Sequence, residues 1–471
     1  MELKFLEYFT LVIGFYMAWN IGANDVANAI STSVGSKALT LKKAVILAGI
    51  FEFLGAYFLG GNVSKTIQSG IVNPEVFSQD MYIFILGMIA ALFATGVWLN
   101  VASYFKLPVS TTHAIIGAVL GFGAIIGGVH AVDWKLVLAI AMSWLVTPVL
   151  SGFIAYLIFT MLQRKILYAF SPIDATKKFI PFLVFFAFSI FAMSLIYGKL
   201  TTLNLNFSLQ LSLLFSILIG AIFSIISYFL VRRIKVTSCS VIQPHHPSQI
   251  FSLEKAKKHL QRTYLTSKGE TKERSEKLLE EVDSLLDEHR QKADYHEQTS
   301  DYFKVEKAFG YLQMISLCLV AFAHGTNDVA NAIGPVAAVI QTINLKKVQF
   351  ASTIPYWILL LGSFGIVLGL ATWGWRVVET IGHKITSLTP TRGFSAEFAT
   401  AITILLASKF GLPISTTHAL VGGILGVGLA KGLSALNLRT LRDIVLSWII
   451  TIPICAILCI IVFYILKLIF Y

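Results

Sequence analysis

Polar residues that could bind a cation stand close together in Ala18–Ser31, AWNIGANDVANAIS, within an otherwise apolar region. Asn24 and Asn28 would share one face of a helix, with Asp25 on the neighbouring stripe. Amide and carboxylate oxygens are hard ligands that suit Na⁺. An ionised carboxylate at the centre of a membrane costs at least about 2.5–3.5 kcal/mol, so Asp25 needs a cation or a proton. We expect a cation site, with the backbone bent or unwound at Gly22 and at its counterpart in a second copy.

A second polar stretch, LPVSTTHA at 107–114, has the composition of an anion site. Its proline suits the first turn of a helix, which places Ser110, Thr111 and Thr112 in or near that turn. A helix N-terminus carries free N–H donors and roughly half a positive elementary charge. Hydroxyls beside these donors would bind an oxyanion without adding a permanent charge. His113 follows them as either a structural histidine bonded to a carbonyl or a proton carrier.

Both motifs occur twice. AFAHGTNDVANAI at 321–333 repeats 18–30 at an offset of 303, and LPISTTHA repeats the second motif at an offset of 305. SWLVTP at 143–148 is echoed by SWIITIP at 447–453. Landmarks in one order at a nearly constant offset indicate a duplication. The second copy supplies the equivalent candidates Asn327, Asp328, Asn331, Ser415, Thr416, Thr417 and His418.

Two acids outside the motifs extend the list of candidates. Glu52 and Glu397 lie in apolar runs, where a buried acid is a functional candidate by default. We interpret them as cation or proton sites, or as a pair that meets across the repeat. His324 replaces Ile21 in the duplicated motif, so the two half-sites need not be equal.

The elements that carry these residues are predicted to be membrane helices. The chain is 56% hydrophobic and 13% charged, about half the charged share of a soluble domain. We predict an all-α polytopic membrane protein with about twelve transmembrane segments, of which 107–128 and 412–430 are broken or re-entrant. The predicted domains are a membrane repeat at 1–231, a charged cytoplasmic linker at 232–307 and a second membrane repeat at 308–471.

The order of the predicted segments gives the two motif copies opposite orientations. The first copy lies in the first span and the second copy in the eighth, so the copies form an inverted-topology repeat. A cytoplasmic linker puts the N-terminus outside and most Lys and Arg residues inside, as the positive-inside rule requires. The formal net charge of +12 therefore reports membrane topology and not a nucleic-acid partner.

The stretches GANDVANAIST, GTNDVANAIGP, LPVSTTHA and LPISTTHA resemble the motifs of the PiT family of inorganic phosphate transporters. The resemblance spans both halves and implies phosphate symport with Na⁺ or H⁺ by a homodimer in the cell membrane. The acids outside the motifs match acidic positions of Na⁺-coupled members, which favours Na⁺. The resemblance implies phosphate ligands at Ser110, Thr111, Thr112, Ser415, Thr416, Thr417, Asn28 and Asn331. It implies cation ligands at Asn24, Asp25, Asn327, Asp328, Glu52 and Glu397.

The favoured hypothesis is a symporter that imports phosphate with Na⁺ by alternating access, without a cofactor besides the transported ion. An H⁺-coupled phosphate or sulfate permease of the same fold is the alternative. An intramembrane aspartyl enzyme would use Asp25 and Asp328 as a dyad but would leave the STT motifs unused. An anion channel would favour rings of permanent positive charge, and the sequence shows no intramembrane Lys or Arg ring.

Overall fold

The computed structural model describes residues 2–169, 171–197, 208–233, 247–296, 300–348, 354–375, 378, 388–432 and 437–471. These ranges are almost entirely helical; they contain one isolated β-bridge, between Val72 and Val132, and no strand. The predicted all-α class is therefore confirmed.

Sixteen α-helices lie within the described residues. They are α1 (Glu2–Asn24), α2 (Val26–Gly35), α3 (Leu41–Leu59), α4 (Gly61–Ser69), α5 (Met81–Tyr104), α6 (Thr111–Ile126), α7 (Trp134–Leu162), α8 (Pro172–Tyr197), α9 (Leu209–Arg232), α10 (Pro247–Thr266), α11 (Glu270–His296), α12 (Ser300–Leu345), α13 (Tyr356–Trp373), α14 (Pro390–Lys409), α15 (Thr416–Lys431) and α16 (Leu438–Phe470).

Seven described helices are long and apolar enough to cross a membrane: α5, α7, α8, α9, α12, α13 and α16. The α3 and α4 helices meet the same criterion together, with a bend of 63° between them, and would make an eighth span. The predicted count of about twelve is therefore not confirmed. The helices that begin at the STT motifs, α6 and α15, have only 16 residues each, which is shorter than a typical membrane span.

The contacts divide the chain into two compact units. The first comprises Met1–Phe159, Phe186–Ala221 and Gly310–Tyr471, and it contains all the predicted site residues. The second comprises Thr160–Phe185 and Ile222–Phe309, where α10 and α11 pack against each other. The division into two membrane repeats and a linker stays a prediction.

Two glycines of the duplicated motif set the helix packing in the first unit. A Cβ at Gly22 would lie 1.8 Å from the carbonyl oxygen of Ile366 in α13. A Cβ at Gly325 would lie 2.2 Å from the carbonyl oxygen of Glu52 in α3. The expected unwinding at these glycines is wrong, since both lie within helices and α12 runs unbroken through the second motif. Glycine is required here for close approach of two backbones.

Candidate anion and cation site

The first motif interrupts its helix at one residue, Asp25, which separates α1 from α2. The interruption is local, because the Asp25 N–H still donates to the Ile21 carbonyl at 2.8 Å. The Asp25 side chain is only 1% exposed. Its carboxylate therefore depends on partners that the protein or a bound ion supplies.

The first turns of α6 and α15 carry the hydroxyl motifs, as predicted. Ser110 and Ser415 are the N-caps of these helices. Their hydroxyl oxygens accept from the backbone N–H groups of His113 and His418, both at 3.2 Å. The two serines thus fix the start of each helix, and Thr111, Thr416 and Thr417 face the acids.

Asp25 brings the two hydroxyl motifs together. Its Oδ2 accepts from Thr111 and its Oδ1 from Thr417, both at 2.6 Å. In the second copy, Asp328 Oδ2 accepts from Thr416 at 2.8 Å. The Thr111–Asp25 and Thr416–Asp328 bonds are equivalent, whereas the Thr417–Asp25 bond crosses from one copy to the other. Carboxylates and hydroxyls from distant parts of the chain therefore form one cluster.

Asn331 joins this cluster through its side-chain amide. Its Nδ2 donates to the hydroxyls of Thr111 at 3.1 Å and Thr112 at 3.3 Å. Thr112 donates in turn to the Ile414 carbonyl at 2.9 Å. The equivalent residue of the first copy, Asn28, has a side chain outside the described residues.

The other motif asparagines bind helix ends with their amide groups. Asn24 Nδ2 donates to Ser103 Oγ at 2.9 Å and to the Leu107 carbonyl at 3.2 Å, near the end of α5. Asn327 makes the equivalent bonds in the second copy, at 3.1 and 3.2 Å. Among the described residues, the buried amide oxygens of Asn24 and Asn327 have no hydrogen-bond donor. Each of these oxygens is thus open to a cation.

A buried histidine lies between two acids. His324 Nδ1 contacts Glu52 Oε1, and His324 Nε2 lies 2.7 Å from Asp328 Oδ2. Asp25, His324 and Asp328 each offer a ligand atom, and these atoms lie within 4.8 Å of one another. The sequence marked His324 only as a departure from Ile21. Its spacing of one helical turn from Asp328 was the signal for this contact.

Glu397 has a separate environment that is rich in hydroxyl groups. Its Oε1 accepts from Thr32 at 2.5 Å, Ser33 at 2.6 Å and Gln313 Nε2 at 3.2 Å. Its Oε2 accepts from Ser316 at 2.5 Å. These donors belong to α2 and α12, so Glu397 on α14 connects both halves of the chain. The two acids outside the motifs therefore have different partners.

Buried carboxylates and hydroxyls enclosed by apolar helices are typical of a membrane transporter for a polar solute. A family model described as the phosphate transporter family matches residues 21–459. The chain belongs to this family. It is a multi-pass integral membrane protein whose substrate is phosphate, and it is not an enzyme.

Similar proteins agree with this assignment along almost the whole chain. A phosphate permease of Chlamydia muridarum is 44% identical over 459 residues, 97% of both chains. Inorganic phosphate transporter 2-1, chloroplastic, of Arabidopsis thaliana is 40% identical over 98% of this chain and 72% of its own length. The solved structure of a sodium-dependent phosphate transporter is 35% identical, with a TM-score of 0.79, and covers 98% of this chain and 99% of its own.

Proposed function

We propose that this chain is a symporter that imports inorganic phosphate together with Na⁺. The observation that carries the proposal is the donation of Thr111 and Thr417, one from each motif copy, to the Asp25 carboxylate at 2.6 Å. A phosphate oxygen and a carboxylate oxygen both accept from such hydroxyls, so phosphate would compete with Asp25 for them. The likeness to a sodium-dependent phosphate transporter supports Na⁺ as the coupling ion.

Coupling follows from an exchange of hydrogen-bond partners. When phosphate enters, the hydroxyls of Thr111 and Thr417 turn to its oxygens, and the Asp25 carboxylate loses two donors. The loss of hydrogen-bond donors makes a buried carboxylate more costly, and a Na⁺ ion on Asp25 offsets that cost. Phosphate binding therefore strengthens Na⁺ binding, and Na⁺ strengthens phosphate binding by the same factor.

The proposed ligands combine these observations with the motif assignment. Glu397 is proposed as a further cation ligand, because its carboxylate is buried among three hydroxyl groups and accepts from the Gln313 amide nitrogen. The proposed phosphate ligands are Ser110, Thr111, Thr112, Ser415, Thr416, Thr417, Asn28 and Asn331. The proposed cation ligands are Asn24, Asp25, Asn327, Asp328, Glu52 and Glu397.

The membrane potential determines the number of cations. An inside-negative potential opposes phosphate entry by about 2.3 kcal/mol per charge per 100 mV. Two Na⁺ ions reverse the sign of this term for monovalent phosphate, whereas the divalent ion needs more than two. We therefore propose electrogenic uptake by alternating access between inverted repeats, in a plasma-membrane homodimer with its N-terminus outside.

An H⁺-coupled phosphate permease is the second candidate, and His324 is the observation that favours it. Its imidazole contacts Glu52 and lies 2.7 Å from Asp328 Oδ2. Histidine is the side chain that most readily both takes up and releases a proton near physiological pH. A protonated His324 would replace one of the transported cations.

Uptake of radiolabelled phosphate into proteoliposomes tests the two candidates. We expect a Na⁺ gradient at clamped pH to drive accumulation, and a proton gradient without Na⁺ to drive none. Asp25→Asn should abolish the Na⁺ stimulation, because the amide cannot supply a negative charge to the cation. Accumulation driven by protons alone would instead establish the H⁺-coupled permease.

A further inference from the structure

Two histidines and two tryptophans form a symmetrical group beside the hydroxyl motifs, which we call the His–Trp cluster. The rings of His113 and His418 meet edge to face, with centroids 4.6 Å apart. The His113 ring lies 3.9 Å from that of Trp144, and the His418 ring 3.6 Å from that of Trp448. Both histidines are buried. Each histidine therefore packs on the tryptophan of its own copy.

The hydrogen bonds of the cluster cross between the copies. His113 Nδ1 lies 3.3 Å from the Trp448 carbonyl oxygen, and His418 Nδ1 lies 3.1 Å from the Trp144 carbonyl oxygen. A carbonyl only accepts, so each Nδ1 carries the proton and donates it. These bonds match the structural role that the sequence left open for the two histidines.

Helix packing beyond the cluster has the same crossed pattern. A Cβ at Gly117 in α6 would lie 2.7 Å from the Ile452 carbonyl oxygen in α16. A Cβ at Gly422 in α15 would lie 2.3 Å from the Pro148 carbonyl oxygen in α7. The α6 and α15 helices therefore each lie backbone to backbone against a helix of the other copy. The histidine hydrogen bonds are at the N-terminal ends of α6 and α15, beside both contacts.

The two motif turns also bind each other directly. Thr112 donates to the Ile414 carbonyl at 2.9 Å, and Thr417 donates to the Val109 carbonyl at 3.3 Å. His113 is two residues after Thr111, and His418 directly follows Thr417. A change in either imidazole hydrogen bond is therefore expected to move the threonine hydroxyls that donate to Asp25.

We propose that His113 and His418 are positioning residues that hold the first turns of α6 and α15 in the geometry required to bind phosphate. The proposal rests on the phosphate site assigned to these turns. Because the contacts of the two histidines are equivalent, they stay the same when the two repeats exchange conformations. The His–Trp cluster thus supports the site on both sides of the transport cycle.

Substitutions that remove either the Nδ1 donor or the aromatic ring, but not both, test this role. His113→Phe keeps an aromatic ring over Trp144 and removes the donor, whereas His113→Asn keeps a donor near the Nδ1 position and removes the ring. We expect the Phe variant to raise KM for phosphate about three- to tenfold, the value of one hydrogen bond. The KM of the Asn variant for phosphate should stay within about twofold of the wild-type value. Equivalent changes at His418 should behave alike.

Radiolabelled phosphate uptake at saturating Na⁺ gives KM and Vmax, and thermal unfolding of the purified transporter reports its stability. Trp98→Phe is the matched control. Trp98 Nε1 donates to Thr451 Oγ1 at 3.2 Å, so this bond also links the two copies, but away from the motif turns. Its loss should leave KM for phosphate unchanged.

An unchanged KM in both Phe variants, with only the unfolding temperature lowered, would reduce the histidines to a role in folding. An equal KM in the Phe and Asn variants would also overturn the proposal. If the Phe variants yield no folded protein, Gln replaces Phe, because its amide occupies the Nε2 position and should raise KM where Asn does not. A wild type whose uptake ignores Na⁺ would refute the proposed coupling, while the comparison of KM values would still decide the role of the histidines.

Discussion

Replacement of Thr417 by valine keeps the shape of the side chain and removes the hydroxyl that donates to Asp25 Oδ1 at 2.6 Å. Hydrogen bonds to charged groups contribute about 1.5–3 kcal/mol, which corresponds to about 10- to 150-fold in affinity. In the phosphate-free variant, Asp25 lacks the Thr417 donor. We therefore expect Na⁺ to bind the variant more tightly than the wild type when no phosphate is present. At saturating Na⁺, phosphate lacks the same donor and should bind more weakly. The two affinities should therefore move in opposite directions, each by up to this factor.

Thr112→Val is the matched control, since Thr112 occupies the position equivalent to Thr417 in the first motif copy. Within the described residues, the Thr112 hydroxyl donates to the Ile414 carbonyl and accepts from Asn331. Its loss should leave Na⁺ affinity without phosphate unchanged. Titration calorimetry of the purified transporter with Na⁺, and with phosphate at saturating Na⁺, measures both quantities. If Thr417→Val weakens both ions together, Thr417 is a simple ligand and the proposed exchange of partners is refuted.

Two further substitutions test the packing around the site by thermal unfolding. Glu397→Gln sets an amide N–H₂ group against hydroxyl and amide donors and should destabilise the fold by about 1–3 kcal/mol; an unchanged unfolding temperature would contradict the buried network. Gly426→Ala would place a Cβ 1.9 Å from the Gly152 carbonyl oxygen and should destabilise by about 1–3 kcal/mol. Gly49→Ala, whose Cβ would meet Val367 Cγ1 at an ordinary contact distance of 3.5 Å, should have little effect. Equal losses of stability at both positions would refute the packing argument.

The sequence predicted the helical class and the helix starts at the hydroxyl motifs, but not the hydrogen-bond partners of the buried acids. Burial predicts that Asp25 needs a cation or a proton, and the duplicated threonines are predicted to bind an anion, whereas the structure shows Thr111 and Thr417 donating to Asp25. The bond from Thr417 to Asp25 was not predictable, because it depends on how the two copies interleave. The predicted count of about twelve spans is not confirmed, because α6 and α15 have only 16 residues each and hydropathy alone does not define where such short helices end.

Other features have no signature in residue type. An asparagine is both donor and acceptor, so the spacing of Asn24 could not show that its amide binds the end of α5 while its oxygen stays open. The tryptophans at 144 and 448 were visible only as landmarks of the duplication, because their contribution to the histidine bonds is a backbone carbonyl. The sequence alone favours a bent or unwound backbone at Gly22, because it does not show which backbone approaches this residue.

The equivalent backbone contacts of the two copies identify where the duplicated halves diverge. Gly325 faces the Glu52 carbonyl and Gly22 faces the Ile366 carbonyl, so Glu52 with His324 takes the place that two isoleucines hold in the other half. Removing one member of a buried polar pair leaves the other buried without its partner, whereas replacing both with apolar residues is often tolerated. We therefore expect His324→Ile to lower the unfolding temperature strongly, and the added Glu52→Ile to recover part of the loss while transport stays impaired. Additive losses in this double-mutant cycle would show that His324 stabilises the fold through Asp328 alone.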